Sequence, residues 1–410
     1  MSILKRIVPY FIFSLVVLFA ACQPIPVKEI QTYLEFEEAM HKLSNGLMTK
    51  LQQRKSFLNG VTTVIMNPFI DIGSGQMLQV SQDIETSFFN EIRKNFKQFK
   101  INRITRANLT NAQYMINGFI KYEAKKSQQA KKYYQVSASI VDLRTKIVIT
   151  RGTAWIIAKE LNYQPLPSYE DNPLYNVKSN MLRRIVKAVK SEVGSQIDDS
   201  YYTFINTKAL LVEAQTAYDN HEYKQAHSLY TKVLQQPEGK MLETYAGLYM
   251  TNFKLGRLRE AAKNFRNMIK ISVRNGTLPV KLLFKSNLTD FLNIKELRQQ
   301  YALWLKQISL YLRTHPEICV NIIGHTSKYG VDNFNKRLSH QRANVIQQKM
   351  RKTFPGIKKH SKTIGMGSEQ TIVGTTPDGI DNAIDRRVEF KIIDCSIISS
   401  SFISTQKNQY

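Results

Sequence analysis

The spacing of apolar residues along the chain changes several times, and each change predicts a different element. Apolar residues recur at helical intervals between positions 30 and 51, which indicates an amphipathic helix serving as a spacer or packing arm, with a solvated lead-in as the alternative. β-branched residues follow one another from Val61 to Met66 and predict a buried strand. The next stripe has one apolar residue in every four and predicts a helix. Its members are Val80, Ile84, Phe88, Ile92 and Phe96.

Shorter apolar runs then return to the period of a strand. Residues 99–104 alternate, residues 114–120 form a second run, and the runs 134–141 and 147–157 predict a hairpin. A last helical stripe closes this region and consists of Leu182, Ile185, Val189, Val193 and Ile197. We therefore predict one α/β sandwich domain over residues 61–203.

Residues 204–275 contain a weak internal repeat. Small and aromatic residues recur there, and Ala226 and Ala261 are separated by 35 positions, close to the period of about 34 in tetratricopeptide repeats. The segment resembles that family, which implies paired helices packed through small residues. It is either a connector that offers a concave surface to a partner or a plain helical spacer.

The C-terminal part returns to alternating strands and helices. Residues 282–284 predict a short strand, residues 297–312 a helix, and residues 318–323 a second strand. A further helix follows and reaches residue 350. The region 280–395 is therefore a second α/β unit, followed by a tail at 396–410.

Four separated motifs run through this unit in order. They are Gly324-His325-Thr326 with Gly330, Asn335 with Leu338-Ser339 and Arg342-Ala343, Gly365-Met366-Gly367, and Asp385-Arg386-Arg387-Val388-Glu389-Phe390. Their order and intervals resemble the C-terminal domain family of OmpA. The resemblance implies a βαβαβ fold with a mixed sheet, and a pocket for the diaminopimelate side chain of the peptidoglycan stem peptide.

The same resemblance implies roles for single residues. Arg342 would form a bidentate pair with the ligand carboxylate. Thr326, Gly330 and Asn335 would shape the loop, and Arg387 would lie near the pocket.

One position departs from the family pattern. The family has aspartate directly after the threonine, where this chain has Ser327, so the ligand ammonium loses a counter-charge. This change would weaken binding roughly tenfold to a hundredfold. Asp332 is the nearest acidic residue. Either the wall is bound weakly, with help from tethering and a basic surface, or the unit has turned to protein partners.

The α/β sandwich carries a second resemblance. Its element order, together with Asn67-Pro68-Phe69 and the run 112–118, is similar to the FlgO-like family, which is related in fold to CsgG. This implies a periplasmic part of an envelope assembly without catalytic residues.

The N-terminus has the pattern of an export signal. Lys5 and Arg6 precede an apolar run, shorter than the roughly 20 residues needed to cross a bilayer, and small residues then lead into Cys22. The pattern resembles the bacterial lipoprotein box, which implies a signal peptide at 1–21, acylation of Cys22 and a linker at 22–60. An ordinary secretory signal with an incidental cysteine is the alternative. Gln23 after the cysteine implies the outer membrane.

The net charge indicates a class of binding partner only in combination with the export signal. Lys and Arg number 58 against 32 Asp and Glu, a formal net charge of +26, which favours anionic partners. Export and the absence of a nucleic-acid motif argue against nucleic acid. The seven histidines lack metal-ligand spacing and no nucleophile motif occurs, so we expect no metal, no cofactor and no catalytic residue. A wall amidase is the enzymatic alternative.

Two further cysteines remain for an exported protein. Cys319 and Cys395 are either one disulfide or two buried free thiols.

These expectations combine into one prediction of function. The chain is an outer-membrane lipoprotein on the periplasmic face that binds peptidoglycan. It would scaffold an envelope assembly, such as a secretion-system or flagellar outer ring, contacting other envelope proteins through its FlgO-like and repeat-like regions. A stand-alone anchor between membrane and wall is the alternative.

Overall fold

The structure is a computed structural model that describes residues 32–54, 60–124, 132–157, 161–177, 179–372 and 380–398. The predicted signal peptide, Cys22 and the end of the tail lie outside the described residues. The described residues from Tyr33 onward form one compact unit. No helix within the described ranges has an apolar stretch long enough to cross a membrane.

The N-terminal part is built on a seven-stranded sheet. Its elements are β1 (Tyr33–Leu34), α1 (Phe36–Arg54), β2 (Thr62–Met66), β3 (Ile70–Asp71), α2 (Gln79–Asn95), β4 (Phe99–Arg103), α3 (Arg106–Thr110), β5 (Tyr114–Ala124), β6 (Lys132–Asp142), β7 (Val148–Ile157), α4 (Pro167–Glu170) and α5 (Asn180–Lys190). The strand order is β1-β7-β6-β5-β2-β4, with β3 beside β5. Strands β5, β6 and β7 are antiparallel, whereas β2 is parallel to both β4 and β5.

Four helices follow this sheet: α6 (Asp199–Asp219), α7 (Tyr223–Leu234), α8 (Leu242–Lys254) and α9 (Leu258–Arg274). Each packs against the next in the chain. Ala226 and Ala261 are both fully buried at equivalent places in the second and fourth helices, as the 35-residue step predicted. Leu258 is 55% exposed because it stands at the first residue of α9.

Both faces of the N-terminal sheet are covered. Val64 and Met66 belong to the core under α1 and α2, whereas Ile65 between them faces the core shared with α5 and α6. Successive side chains of a strand point to opposite faces, so an unbroken apolar run marks a strand buried on both. The prediction of a buried strand there is confirmed.

The helices at the two ends of this domain confirm one expectation in part and correct another. The helix predicted over 30–51 is confirmed as a packing helix from Phe36 onward, because α1 buries Met40, Leu43, Leu47 and Leu51. The stripe predicted to reach Ile197 stops earlier, since α5 ends at Lys190 and the next residue, Ser191, has extended backbone. Val193 is consequently 42% exposed.

The C-terminal part holds a four-stranded sheet, which is mixed, as the resemblance to the OmpA family implied. Its elements are β8 (Thr277–Leu283), α10 (Lys295–Thr314), β9 (Ile318–Gly324), α11 (Asp332–Arg351), a 3₁₀ helix (Pro355–His360), β10 (Ser361–Gly365), a second 3₁₀ helix (Ile380–Asp385) and β11 (Arg387–Asp394). The order is β10-β9-β11-β8, with β10 parallel to β9 and β11 antiparallel to both neighbours. The first strand is longer than the three residues predicted.

A single hydrophobic cluster runs through all of these parts. It extends from the α5 face of the first sheet, through the four helices, to α10 and the second sheet. At the last of these junctions the rings of Phe265 and Trp304 stack with centroids 6.0 Å apart. The four helices thus bury their apolar faces against both neighbouring parts of the chain.

The first domain also touches the second sheet directly. Leu174 forms a β-bridge with Val280, and Lys281 Nζ donates to the carbonyls of Tyr169 and Glu170, each at 2.7 Å. The edge strand β8 is thus covered rather than open to pairing.

Candidate functional site

The loop after β9 begins where a helix crosses the strand at very short range. A Cβ atom at Gly324 would lie 1.9 Å from the carbonyl oxygen of Ser339 in α11. Only glycine leaves room for this approach. The first motif therefore starts with glycine for a steric reason.

Backbone hydrogen bonds join this loop to the other motifs. The amide of His325 donates to the carbonyl of Arg387 at 2.9 Å, and that of Thr326 donates to the carbonyl of Gly367 at 2.8 Å. The amide of Gly367 donates to Ser339 Oγ at 2.9 Å. The fold thus gathers four motifs, separated in sequence, at one end of the sheet.

The shape of the loop depends on Gly330 and Asn335. Gly330 has φ +95°, a left-handed conformation that disfavours side chains. Asn335 is 2% exposed, and its Nδ2 donates to the carbonyl of Tyr329 at 3.0 Å. The contacts of these two residues are consistent with the shaping role that the resemblance implies.

Thr326 and Ser327, near the start of the loop, are buried. They are 2% and 4% exposed, and Thr326 Oγ1 is buried without a hydrogen-bond partner among the described residues. The outer surface of the loop holds polar residues such as Lys328 and Asp332 together with three apolar side chains. Tyr329, Val331 and Phe334 are 53%, 73% and 42% exposed. Sequence reasoning missed these three, because an exposed apolar residue in a loop has no periodic signature.

Arg342 is fully enclosed at this site. It is 0% exposed, with its guanidinium 5.4 Å from the ring centre of Phe284. Its Nε, Nη1 and Nη2 donate to the carbonyls of Leu288, His325 and Lys285 at 3.0, 2.9 and 2.8 Å. The group that the resemblance assigns to a ligand carboxylate is here committed to backbone oxygens. The sequence did not reveal this, because the carbonyl partners lie 17 to 57 positions away.

Arg387 lies behind the loop, at the contact with the first domain. It is 3% exposed, its guanidinium lies 4.8 Å from the ring centre of Tyr175, and its Nη1 donates to the carbonyl of Gln370 at 3.3 Å. Its Nε is 3.2 Å from Glu389 Oε2. Tyr175 donates its hydroxyl to the same carboxylate across 214 positions of sequence. No local pattern could have predicted that pairing.

His325 completes this buried cluster at the base of the loop. Its Nε2 is 3.4 Å from Glu389 Oε1. Burial lowers the pKa of His325 below its ordinary 6.5, with the charge of Arg387 adding to the effect and Glu389 opposing it. Burial would raise the pKa of Glu389, but His325 and Arg387 outweigh it and lower that pKa to about 2. A carboxylate with this pKa is ionised at neutral pH.

The two cysteines meet at the opposite end of the same sheet. Cys319 in β9 and Cys395 directly after β11 are joined in a disulfide. Of the two alternatives left open by the sequence, the structure has the bonded one.

The comparisons with known proteins concern this C-terminal part. Residues 293–384 match the model of the OmpA family. Outer membrane porin F of Pseudomonas aeruginosa is 27% identical over 104 residues, which are 25% of this chain and 29% of that protein. The chain therefore covers less than a third of that relative.

Solved structures resemble the same part. The peptidoglycan-associated lipoprotein from Burkholderia pseudomallei has 18% identity and a TM-score of 0.24, covering 28% of this chain and 89% of its own. The C-terminal domain of Helicobacter pylori MotB has 17% identity and a TM-score of 0.22, covering 32% and 97%. An outer membrane protein of Borrelia burgdorferi B31 has 24% identity and a TM-score of 0.22, covering 28% and 85%.

Proposed function

We propose that this protein is an outer-membrane lipoprotein, held at the periplasmic face through Cys22, that binds peptidoglycan without a covalent bond. Two observations support this: residues 293–384 match the OmpA family, and the three motifs of that segment converge on one loop with a fourth motif that follows it directly. We propose no enzymatic role for this protein. Incubation of the protein with purified wall, with release of soluble fragments as the readout, tests for wall cleavage.

The proposed ligand is the diaminopimelate side chain of the stem peptide. It would bind at the loop from Thr326 to Asn335, with Gly330 holding the turn. Ser327 provides a hydroxyl where a carboxylate would meet the ligand ammonium, so we expect weak binding. The exposed rings of Tyr329 and Phe334 add apolar contact beside the polar ligand.

Arg342 has two roles in this proposal. Without ligand, its guanidinium ties the carbonyl of His325 to the segment before α10. It meets the ligand carboxylate only when the carbonyls of Lys285 and Leu288 give way, since a buried guanidinium that loses one partner needs another. Arg387 acts from behind the loop, by fixing the strand that holds His325 in place.

Cosedimentation with isolated sacculi tests this site in the full mature chain. Ser327→Asp should tighten binding roughly tenfold, because it restores a counter-charge for the ammonium. Arg342→Ala should strongly reduce binding. Arg337→Ala removes an exposed arginine from the same helix and should change little.

Three results would contradict the site. They are no retention of the native protein on sacculi in low salt, equal behaviour of the two arginine variants, or no gain from Ser327→Asp. If Ser327→Asp brings no gain while the native protein still binds, the contact with the wall lies outside this loop.

We further propose a scaffolding role in an envelope assembly, such as a secretion-system or flagellar ring, rather than that of a stand-alone anchor. The support is the continuous core, which holds the N-terminal sheet and the four helices firmly to the proposed wall-binding part. A stand-alone anchor would need neither the N-terminal sheet nor the four helices. After extraction in mild detergent, an assembly subunit should elute in a large complex, whereas elution as a monomer or dimer would favour the anchor.

A further inference from the structure

Helix α9 has two very different faces. One is buried and consists of Ala261, Asn264, Phe265, Met268, Ile269 and Ser272. The other holds a row of five exposed cations, Arg259, Lys263, Arg266, Lys270 and Arg274. Their spacing of three or four residues places them on one side of the helix, along about 22 Å of its axis. We call this row the α9 stripe.

The charges of the α9 stripe are not compensated within the described part of the chain. None of the five makes an ion pair there, and Arg266 Nη1 donates to a neutral partner, Gln307 Oε1, at 2.9 Å. Glu260 is the one acidic residue of α9. Like charges three or four residues apart destabilise a helix, so this row has a cost that alternating glutamates would remove.

Another basic helix of the same protein is treated differently. In α5, Arg184 forms a double hydrogen bond with Glu238, and Lys187 lies 3.9 Å from Asp198 Oδ2. Two of the four cations of α5 are thus paired with carboxylates, whereas none of the five cations of the α9 stripe is paired with one among the described residues. This contrast points to a partner outside the chain for the α9 stripe.

The geometry excludes a small anion as that partner. Side chains in a row along one helix face do not converge on a point, as the donors of a phosphate or carboxylate pocket do. A row of separate cations fits an extended polyanion, whose charges it meets one after another with release of counterions.

The position of α9 selects the polyanion. The ring of Phe265 stacks on Trp304 of α10, and α9 leads directly into β8, so the stripe belongs to the same body as the loop after β9. We propose that the α9 stripe is a second contact with the cell wall, which binds the carboxylates of the stem peptides by charge alone. This inference rests on the proposed wall-binding function. The attraction of the stripe to carboxylates would offset the affinity that the loop loses because it has Ser327 in place of an aspartate.

The test replaces all five stripe residues by glutamine in the full mature chain. A matched control replaces Arg351, Lys352, Lys358, Lys359 and Lys362, which are also exposed but lie at the end of the sheet away from the loop. Both variants lose five positive charges. Far-ultraviolet circular dichroism and thermal unfolding verify that both remain folded.

At about 0.05 M salt the stripe variant should bind sacculi roughly tenfold more weakly than the native protein, and the difference should shrink at about 0.5 M. The control should lose less than about threefold under the same conditions. Arg342→Ala, in contrast, should reduce binding at both salt concentrations.

Equal losses in the two five-residue variants would overturn the inference, since net charge alone would then explain them. Unchanged binding of the stripe variant to sacculi would also overturn the inference. This holds even if the variant no longer copurifies with another protein. In these cases the native protein still binds the wall and the proposed function survives. If the native protein binds no sacculi at either salt concentration, the proposed function itself fails and the stripe inference fails with it.

Discussion

The loop after β9 and the α9 stripe are built on opposite principles. The loop is held by short backbone contacts, close helix approach and a buried guanidinium, whereas the stripe consists of long exposed side chains without fixed partners. Contacts of the first kind are sensitive to shape and little affected by salt. Contacts of the second kind tolerate variation in geometry but weaken when salt screens them. Together they allow a surface to combine weak specific binding with general attraction to a polyanion.

The largest expected effect concerns the steric basis of the loop. Gly324→Val should lower the free energy of unfolding by more than about 3 kcal/mol, because its Cβ would collide with the Ser339 carbonyl. Thermal unfolding measures this. Gly46→Ala in α1 is the control, since a Cβ there meets nothing within 4 Å, and it should be neutral or slightly stabilising. Equal stability of the two variants would show that α11 can shift away from the strand.

The next effect separates shape from charge within the loop. Arg342→Ala should lower the free energy of unfolding by about 3 kcal/mol, because it leaves buried carbonyls without donors. Arg342→Lys should lower the free energy of unfolding by nearly as much. The planar guanidinium donates to three separate carbonyls, and a single ammonium group cannot reach all three. Denaturant unfolding measures both. Full rescue by lysine would mean that charge, rather than the planar donor set, is what the loop requires.

A pH effect of at most about 3 kcal/mol is expected at the base of the loop. The folded-state pKa of Glu389 is lowered to about 2 from 4.5, so its stabilisation is complete above pH 4.5 and is lost as pH falls toward 2. The lowered pKa of His325 acts in the same direction, with stability lost as pH falls below 6.5. Glu389→Gln should therefore be less stable than the native protein at pH 7 and equal to it near pH 2.

Thermal unfolding across this pH range is the measurement, with Glu317→Gln as an exposed carboxylate control. A gap between Glu389→Gln and the native protein that persisted at low pH would indicate a packing defect instead of a lost charge.

The smallest effect has the opposite sign. Neutralising the α9 stripe removes four like-charge neighbour pairs, so the glutamine variant should be more stable by about 1 kcal/mol at low salt. Chemical denaturation at low and high salt checks this. A variant that gains stability while losing affinity for the wall would separate the two principles most clearly. A loss of stability would mean that the five side chains serve the fold.

Much of the local structure followed from the sequence. The unbroken apolar run at Val64, Ile65 and Met66 predicted a strand buried on both faces, because alternation divides its side chains between two cores. The 35-residue step from Ala226 to Ala261 placed both residues at helix contacts. The prediction failed at the end of a helix, where Val193 lies beyond α5 and is exposed. A periodic pattern reports a face, whereas the end of a helix depends on capping and on individual backbone angles.

The motifs of the C-terminal part likewise identified the loop after β9 from the sequence, since glycine at 324 and 330 and asparagine at 335 answer local steric and hydrogen-bond needs. What only the tertiary structure decided is which groups meet across long distances: the carbonyls around Arg342, the contact of Tyr175 with Glu389, the pairing of Cys319 with Cys395, and the core that joins all parts of the chain. The reason is that local spacing determines the direction of a side chain within its own element. The partner it finds depends on how separate elements pack together, and no local pattern records that.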